Sequence, residues 1–244
     1  VSLGFGHLAR VGHLYPSGGL CDYELQQMAP DGLQFITTRL PFRRTGIADD
    51  LRLVEDLEGH AELLADAGVG LVAVNCTAAT MLAGPARVRE RVEQATGIAA
   101  VTTIEAVLAA LVAAGITRPA LLTPYPAEVV AAEVTYLRDH GVEVATHRGP
   151  PCATPVEQAL VEPAHWRDLA AGLDPATIDG VLLSCAGIRI APELDRIEQS
   201  LGVPVVASNQ ALLWHVLRAL ELPDRPVGYG ELLAGRFDAA APTG

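Results

Sequence analysis

Cys76 and Cys185 are the residues whose type and spacing carry chemistry. Each closes a short apolar run, VGLVAVNC (69–76) and IDGVLLSC (178–185), and they stand 109 positions apart. The same offset relates Thr37 to Thr146, Arg39 to Arg148 and Pro41 to Pro150, so the chain repeats itself in register through two strands and a cysteine. Two thiols at equivalent positions of facing halves suit chemistry at a carbon atom. One sulfur removes a proton or adds to the carbon, and the other returns a proton from the opposite side. The intermediate is an enediolate, which needs preorganised donors around its oxygens. A thiol just ahead of a helix is also expected to shift toward thiolate, because the helix dipole and its free N–H groups favour the anion.

Donors stand close to both cysteines. Asn75 precedes the first, and Thr77 and Ala78 follow it; Ala186 and Gly187 follow the second. Ser17, Gly18 and Gly19 come after an apolar run, where glycines permit close backbone approach and a nest for an anion. Tyr125 occupies the matching loop of the second half and offers a hydroxyl. Cys21 and Cys152 map across the repeat onto Val130 and Arg43, so both are read as structural thiols. No CxxC pair is present, and His7 and His13 lack acid or thiol neighbours at ligand spacing, so a structural metal is not expected.

The elements that must position these residues follow an α/β pattern. Strands are expected at Ala9–Tyr15, Leu33–Leu40, Val69–Asn75, Ala99–Thr103, Arg118–Thr123, Val142–Arg148, Ile178–Ser184 and Val203–Ala207. Runs such as LVAV (71–74) and GVLL (180–183) are apolar throughout, as in parallel strands covered on both faces. Helices are expected at Asp49–Ala67, Pro85–Thr96, Ile104–Ala114, Pro126–His140, Trp166–Leu173, Pro192–Leu201 and Gln210–Leu220, with Gly115 and Gly141 as left-handed caps. After the cysteines, GIAAVTTIEAVLAAL (97–111) answers GVPVVASNQALLWHV (202–216). The expected fold is therefore two similar doubly wound parallel-sheet halves related by a pseudo-twofold axis, with the active site in the cleft between them. Residues 1–115 form the first half, with 208–244 packing back on it, and 116–207 form the second. Ligands of open α/β sheets bind beyond the carboxyl ends of the strands, which is where both cysteines fall.

Composition excludes other classes. The 244 residues carry 17 Lys+Arg against 29 Asp+Glu, a net charge of −12, with no basic run to track a nucleic acid. Half the residues are hydrophobic, enough for a buried core, yet the apolar stretches are too short to span a bilayer. Val1–Arg10 lacks the apolar core of a signal peptide, so a cytoplasmic protein is expected.

VNCTAATM (74–81), LLSCAG (182–187), GHLYPSGG (12–19), LLTPY (121–125), GVPVVASNQALLW (202–214) and GYGELL (228–233) together resemble the aspartate/glutamate racemase superfamily, in the branch of maleate cis-trans isomerase and arylmalonate decarboxylase. The resemblance implies a cofactor-free enzyme of two flavodoxin-like halves, a small carboxylate or dicarboxylate as substrate, and a homo-oligomer. It implies that Cys76 and Cys185 are the catalytic pair, since isomerases and racemases keep both cysteines and decarboxylases only the second. It implies that Pro16 and Ser17, Thr77, Tyr125, Ala186 and Gly187 bind substrate. Maleate isomerases carry an Asn in the loop near Gly19, where this chain has Gly, as in the decarboxylases. The leading expectation is a cofactor-independent isomerase or racemase most like maleate isomerase. The rivals are an arylmalonate-type decarboxylase using Cys185 alone and a non-catalytic two-lobed binding protein.

Overall fold

The computed structural model describes residues 6–238. The outermost parts of the expected first half, residues 1–5 and 239–244, lie outside them. The first half runs β1 (Ala9–Pro16), α1 (Tyr23–Met28), β2 (Leu33–Leu40), α2 (Ile47–Leu53), α3 (Leu57–Ala65), β3 (Leu71–Val74), α4 (Thr77–Ala83), α5 (Pro85–Thr96), β4 (Ala100–Thr102) and α6 (Thr103–Ala113). The second runs β5 (Pro119–Leu122), α7 (Ala127–Asp139), β6 (Thr146–Arg148), α8 (Pro155–Leu160), α9 (Pro163–Ala171), β7 (Gly180–Leu183), α10 (Leu194–Leu201) and β8 (Val205–Ala207), and α11 (Ser208–Ala219) follows it. Each half holds a four-stranded, all-parallel sheet, in the orders β2-β1-β3-β4 and β6-β5-β7-β8. The repeat read in the sequence is a repeat of topology.

The central strands β3 and β7 are fully buried, as their unbroken apolar runs require. α6 and α11 are the equivalent helices of the two halves and pack on each other. Their Ala/Leu-rich faces sit in one core with residues of both sheets, among them Ile104, Leu111, Leu121, Leu182, Val206 and Leu212. Each such side chain contributes roughly 1.5–3 kcal/mol on burial. Gly115 and Gly141 adopt φ of +68° and +82°, the left-handed conformation expected where α6 and α7 end.

The structure corrects several boundaries. Asp49–Ala67, expected as one helix, is two, with the chain turning at Val54–Asp56. Arg91 holds that turn by donating to the Val54 and Glu55 carbonyls at 2.7 and 2.9 Å while pairing with Glu58. The short helices α1, α4 and α8 were not anticipated, since six or seven residues give too little periodicity to register. No helix among the described residues is long and apolar enough to cross a membrane.

Candidate active site

Cys76 stands two residues beyond β3 as the N-cap of α4, and Cys185 likewise two residues beyond β7. Both line one narrow cavity between the halves. Pro16 at the end of β1, Gly19 from the loop after it, Ala78 from α4, and Ala186 and Gly187 complete part of the wall. Tyr125 lines it too, and its hydroxyl is hydrogen-bonded to the Cys185 sulfur. The lining includes no arginine among the described residues, and its acid is Asp50.

Four expected site residues stand behind this wall. Asn75 is fully buried and hydrogen-bonds Asn209 Oδ1 at 3.0 Å and His13 Nε2 at 3.1 Å. Thr77 donates to Ser208 Oγ at 2.9 Å, and the same oxygen accepts the Cys185 N–H at 3.1 Å, so one hydroxyl ties the two cysteine segments together. Ser17 is engaged with the Phe42 backbone through its Oγ. The N–H groups of Ser17, Gly18 and Gly19 donate to the carbonyls of Leu40, Phe42 and Pro16. The loop expected to cradle an anion therefore has these N–H groups already bonded inside the fold, and it serves as wall. Arg39 secures it, donating to Gly19 O at 2.6 Å and to Asp22 at 2.7 Å.

The expected thiolate is also corrected. The Ala78 and Ala79 N–H groups reach the Cys76 sulfur, and Gly187 N–H reaches the Cys185 sulfur at 3.2 Å. Burial outweighs them: it pushes the Cys76 thiol well above its ordinary range and Cys185 up to about 12. α4 has seven residues, and a turn rather than a helix follows Cys185, so the dipole gives little help. Both sulfurs rest as thiols.

Sequence reasoning missed the groups that hold this site. Tyr15 donates to Ala186 O at 3.1 Å, and its oxygen accepts the Cys21 N–H at 3.2 Å. The Cys21 thiol donates to Gly187 O at 3.1 Å, so Cys21 is structural, but structural at the site. A polar chain, buried from His13 onward, runs from Thr37 through His13, Asn75 and Asn209 to Glu24, whose Oε1 accepts the Ile190 and Ala191 N–H groups. Such networks fix geometry because every member is costly to leave unpaired. Asp50 and Gln158 also face the cavity, on the equivalent helices α2 and α8; at 108 positions apart they fall one short of the repeat's 109 register, so the sequence repeat does not pair them.

The chain resembles characterised proteins over almost all of its length. It is 27% identical to a maleate isomerase of Pseudomonas putida over 94% of this chain and 99% of that protein. It is 30% identical to the arylmalonate decarboxylase of Bordetella bronchiseptica over 89% of this chain and 92% of that one. The crystal structure of the maleate isomerase Iso from Pseudomonas putida S16 superposes with a TM-score of 0.87 at 25% identity, covering 93% of this chain and 98% of that one. The arylmalonate decarboxylase family pattern matches residues 12–233, and the chain belongs to that family.

Proposed function

We propose that this protein is a cofactor-independent isomerase of a small cis-dicarboxylate, of which maleate is the leading example, with Cys76 and Cys185 as its working pair. The observation that carries the reading is that two cysteines, one from the end of each central strand, line a single cavity between the halves. The similarity to maleate isomerases along the whole chain supports the same reaction type.

In this reading the Cys76 sulfur adds to one alkene carbon, and the displaced electron pair passes into the neighbouring carboxylate as an enediolate. The carbon–carbon bond is then single and rotates. Expulsion of the sulfur restores the double bond in the trans arrangement. Cys185, hydrogen-bonded by Tyr125, supplies and retrieves a proton at the carbanionic carbon. With no arginine in the lining, the carboxylates are received by N–H and O–H donors in a desolvated site, where each is worth more than in water. The division of the chain into 1–115 with 208–244, against 116–207, belongs to this reading, as do a cytoplasmic location and a homo-oligomer.

Gly19 supports a second reading. A Cβ there would stand 2.5 Å from the Tyr15 ring, so the position keeps a glycine, as in the decarboxylases. That reading is decarboxylation of a disubstituted malonate by Cys185 alone. The deciding experiment incubates the protein with maleate and with arylmalonates and follows both by NMR in deuterated water. Isomerisation predicts fumarate and a loss of at least about a thousandfold in both Cys76→Ser and Cys185→Ser. Full activity of either variant removes the two-thiol mechanism, and carbon dioxide release that survives Cys76→Gly establishes the decarboxylase.

A further inference from the structure

Asp50 and Gln158 stand in the same relation to the two sulfurs. Each lies on the short helix that follows the edge strand of its half, α2 after β2 and α8 after β6. Asp50 Oδ1 is 4.0 Å from Cys76 Sγ, and Gln158 Oε1 is 3.5 Å from Cys185 Sγ. All four residues line the same cavity. The repeated topology thus gives each cysteine an oxygen partner but makes the partners chemically unequal. A carboxylate can accept a proton and give it back; a carboxamide oxygen can only hold the S–H it accepts.

We propose that Asp50 is the proton acceptor for the Cys76 thiol, and that Gln158 keeps Cys185 as a thiol poised to donate, so that this pair of residues decides which cysteine attacks. The proposal rests on the isomerase reading for its substrate and on this geometry for its roles. In the step it assigns, the Cys76 S–H bond breaks and the proton passes to Asp50. The sulfur pair forms the carbon–sulfur bond, and the alkene π pair moves into the enediolate. On collapse the carbon–sulfur pair returns to sulfur, which takes the proton back from Asp50. Nothing is oxidised or reduced, and no proton is gained or lost.

The surroundings suit an exchangeable proton. Asp50 is almost wholly buried, and one N–H, from Gly46, bonds its carboxylate. The charges facing it are Asp49 on its own helix and Glu128 near the start of α7; Tyr125, Cys76 and Cys185 face it within the cavity. Arg52, the nearby cation, pairs with Asp49 at 3.7 Å. Burial, with the two acidic neighbours, pushes the Asp50 acid up to about 7, where it changes state near neutral pH. An activated thiol that rests protonated needs such a neighbour.

The test measures carbamidomethylation of each cysteine by iodoacetamide in the full-length protein, resolved by peptide mass spectrometry from pH 5 to 10. In the wild type, the Cys76 rate rises to a plateau with a midpoint near 7. In Asp50→Asn it is at least ten-fold slower at pH 7 and keeps climbing to pH 10, as for an unassisted thiol, while Cys185 labelling is unchanged. Asp50→Ala responds to added formate, but not to chloride at equal ionic strength, with a concentration-dependent return of Cys76 labelling, which a misfolded variant cannot give. Gln158→Glu raises Cys185 labelling at pH 7 by about ten-fold. Superimposable Cys76 profiles in wild type and Asp50→Asn, or no response of Asp50→Ala to formate, overturn the assignment even if maleate is converted. Absence of maleate conversion with the labelling pattern intact leaves the assignment standing and removes the substrate reading instead.

Discussion

The Tyr15 hydroxyl at the end of β1 donates to the Ala186 carbonyl of the second half at 3.1 Å, across 171 positions of sequence. Beside it the Cys21 thiol donates to Gly187 O. The turn that carries Cys185 is therefore fixed by the opposite half, and the two sulfurs keep their relation only while this junction holds. Tyr15→Phe removes the donor and leaves the buried Cys21 N–H without its acceptor. Urea unfolding should show a loss of about 1–3 kcal/mol, and kcat should fall more than KM changes, because the reacting geometry loosens while the rest of the wall remains. A variant as stable and active as wild type would show that the junction positions nothing.

Gly19 tests the same wall from the other side. A Cβ added there meets Cε1, Cζ and Oη of Tyr15 at 2.5–2.8 Å. The ring cannot yield without giving up its bond to Ala186. Gly19→Ala is expected to cost about 1–3 kcal/mol, the usual penalty for overpacking a buried site. Paired with Tyr15→Phe, the two losses should fall short of adding, since both act through one hydrogen bond. Strict additivity in the double variant would show that the glycine acts elsewhere.

The architecture was legible because it is written twice. Apolar runs ending in Cys76 and Cys185 marked the central strands, and the constant offset placed them in equivalent positions, so that both sulfurs meet at one cavity followed from periodicity and topology. What stayed hidden belongs to folding in three dimensions. Helix-start chemistry argued for thiolates, but the degree of burial that raises both thiols is set by the opposite half and leaves no local trace. The glycines after β1 suggested an anion nest, and only the folded chain shows the Gly18 N–H already bonded to Phe42 O and the Gly19 N–H to Pro16 O. Asp50 lay inside what reads as one long helix, Asp49–Ala67. It faces the cavity because the chain breaks at Val54–Asp56, where a distant arginine on α5 holds the turn.

His13 should behave as a neutral residue well below ordinary histidine pH. It is fully buried, and burial, assisted by the Arg39 charge, lowers it to about 3. Thr103 donates to Asn75 Oδ1, so the Asn75 amide nitrogen faces His13 Nε2 and the imidazole carries its proton on Nδ1, toward Thr37. Nitrogen-15 NMR should show that tautomer unchanged from pH 8 to 4.5. A folded pKa below the unfolded value of about 6.5 means that this contribution to stability is complete above pH 6.5 and declines as the pH falls toward 3. A His13 titration midpoint near 6 would refute the buried chain that ends at Glu24.

Glu133 gives the opposite sign. It lies on α7 behind the second cysteine, with Oε1 bonded to the Ser184 hydroxyl and Oε2 without a partner among the described residues. Burial raises its acid from 4.5 to about 8. Because the folded value is the higher one, the native state binds a proton that the unfolded chain releases. The resulting stability is full below about pH 4.5 and is lost progressively as the pH rises through 8. Glu133→Gln, which cannot ionise, should not share that decline. The difference in unfolding free energy between variant and wild type should grow in the variant's favour by on the order of a few kcal/mol from pH 4.5 to pH 9. Urea titrations at half-unit steps measure it, and the slope rather than the offset is decisive, because the offset also contains the exchange of a hydroxyl for an amide against Ser184. Parallel stability curves would mean that Glu133 is already ionised in the folded protein, with a counter-charge reaching it from outside α7 and β7.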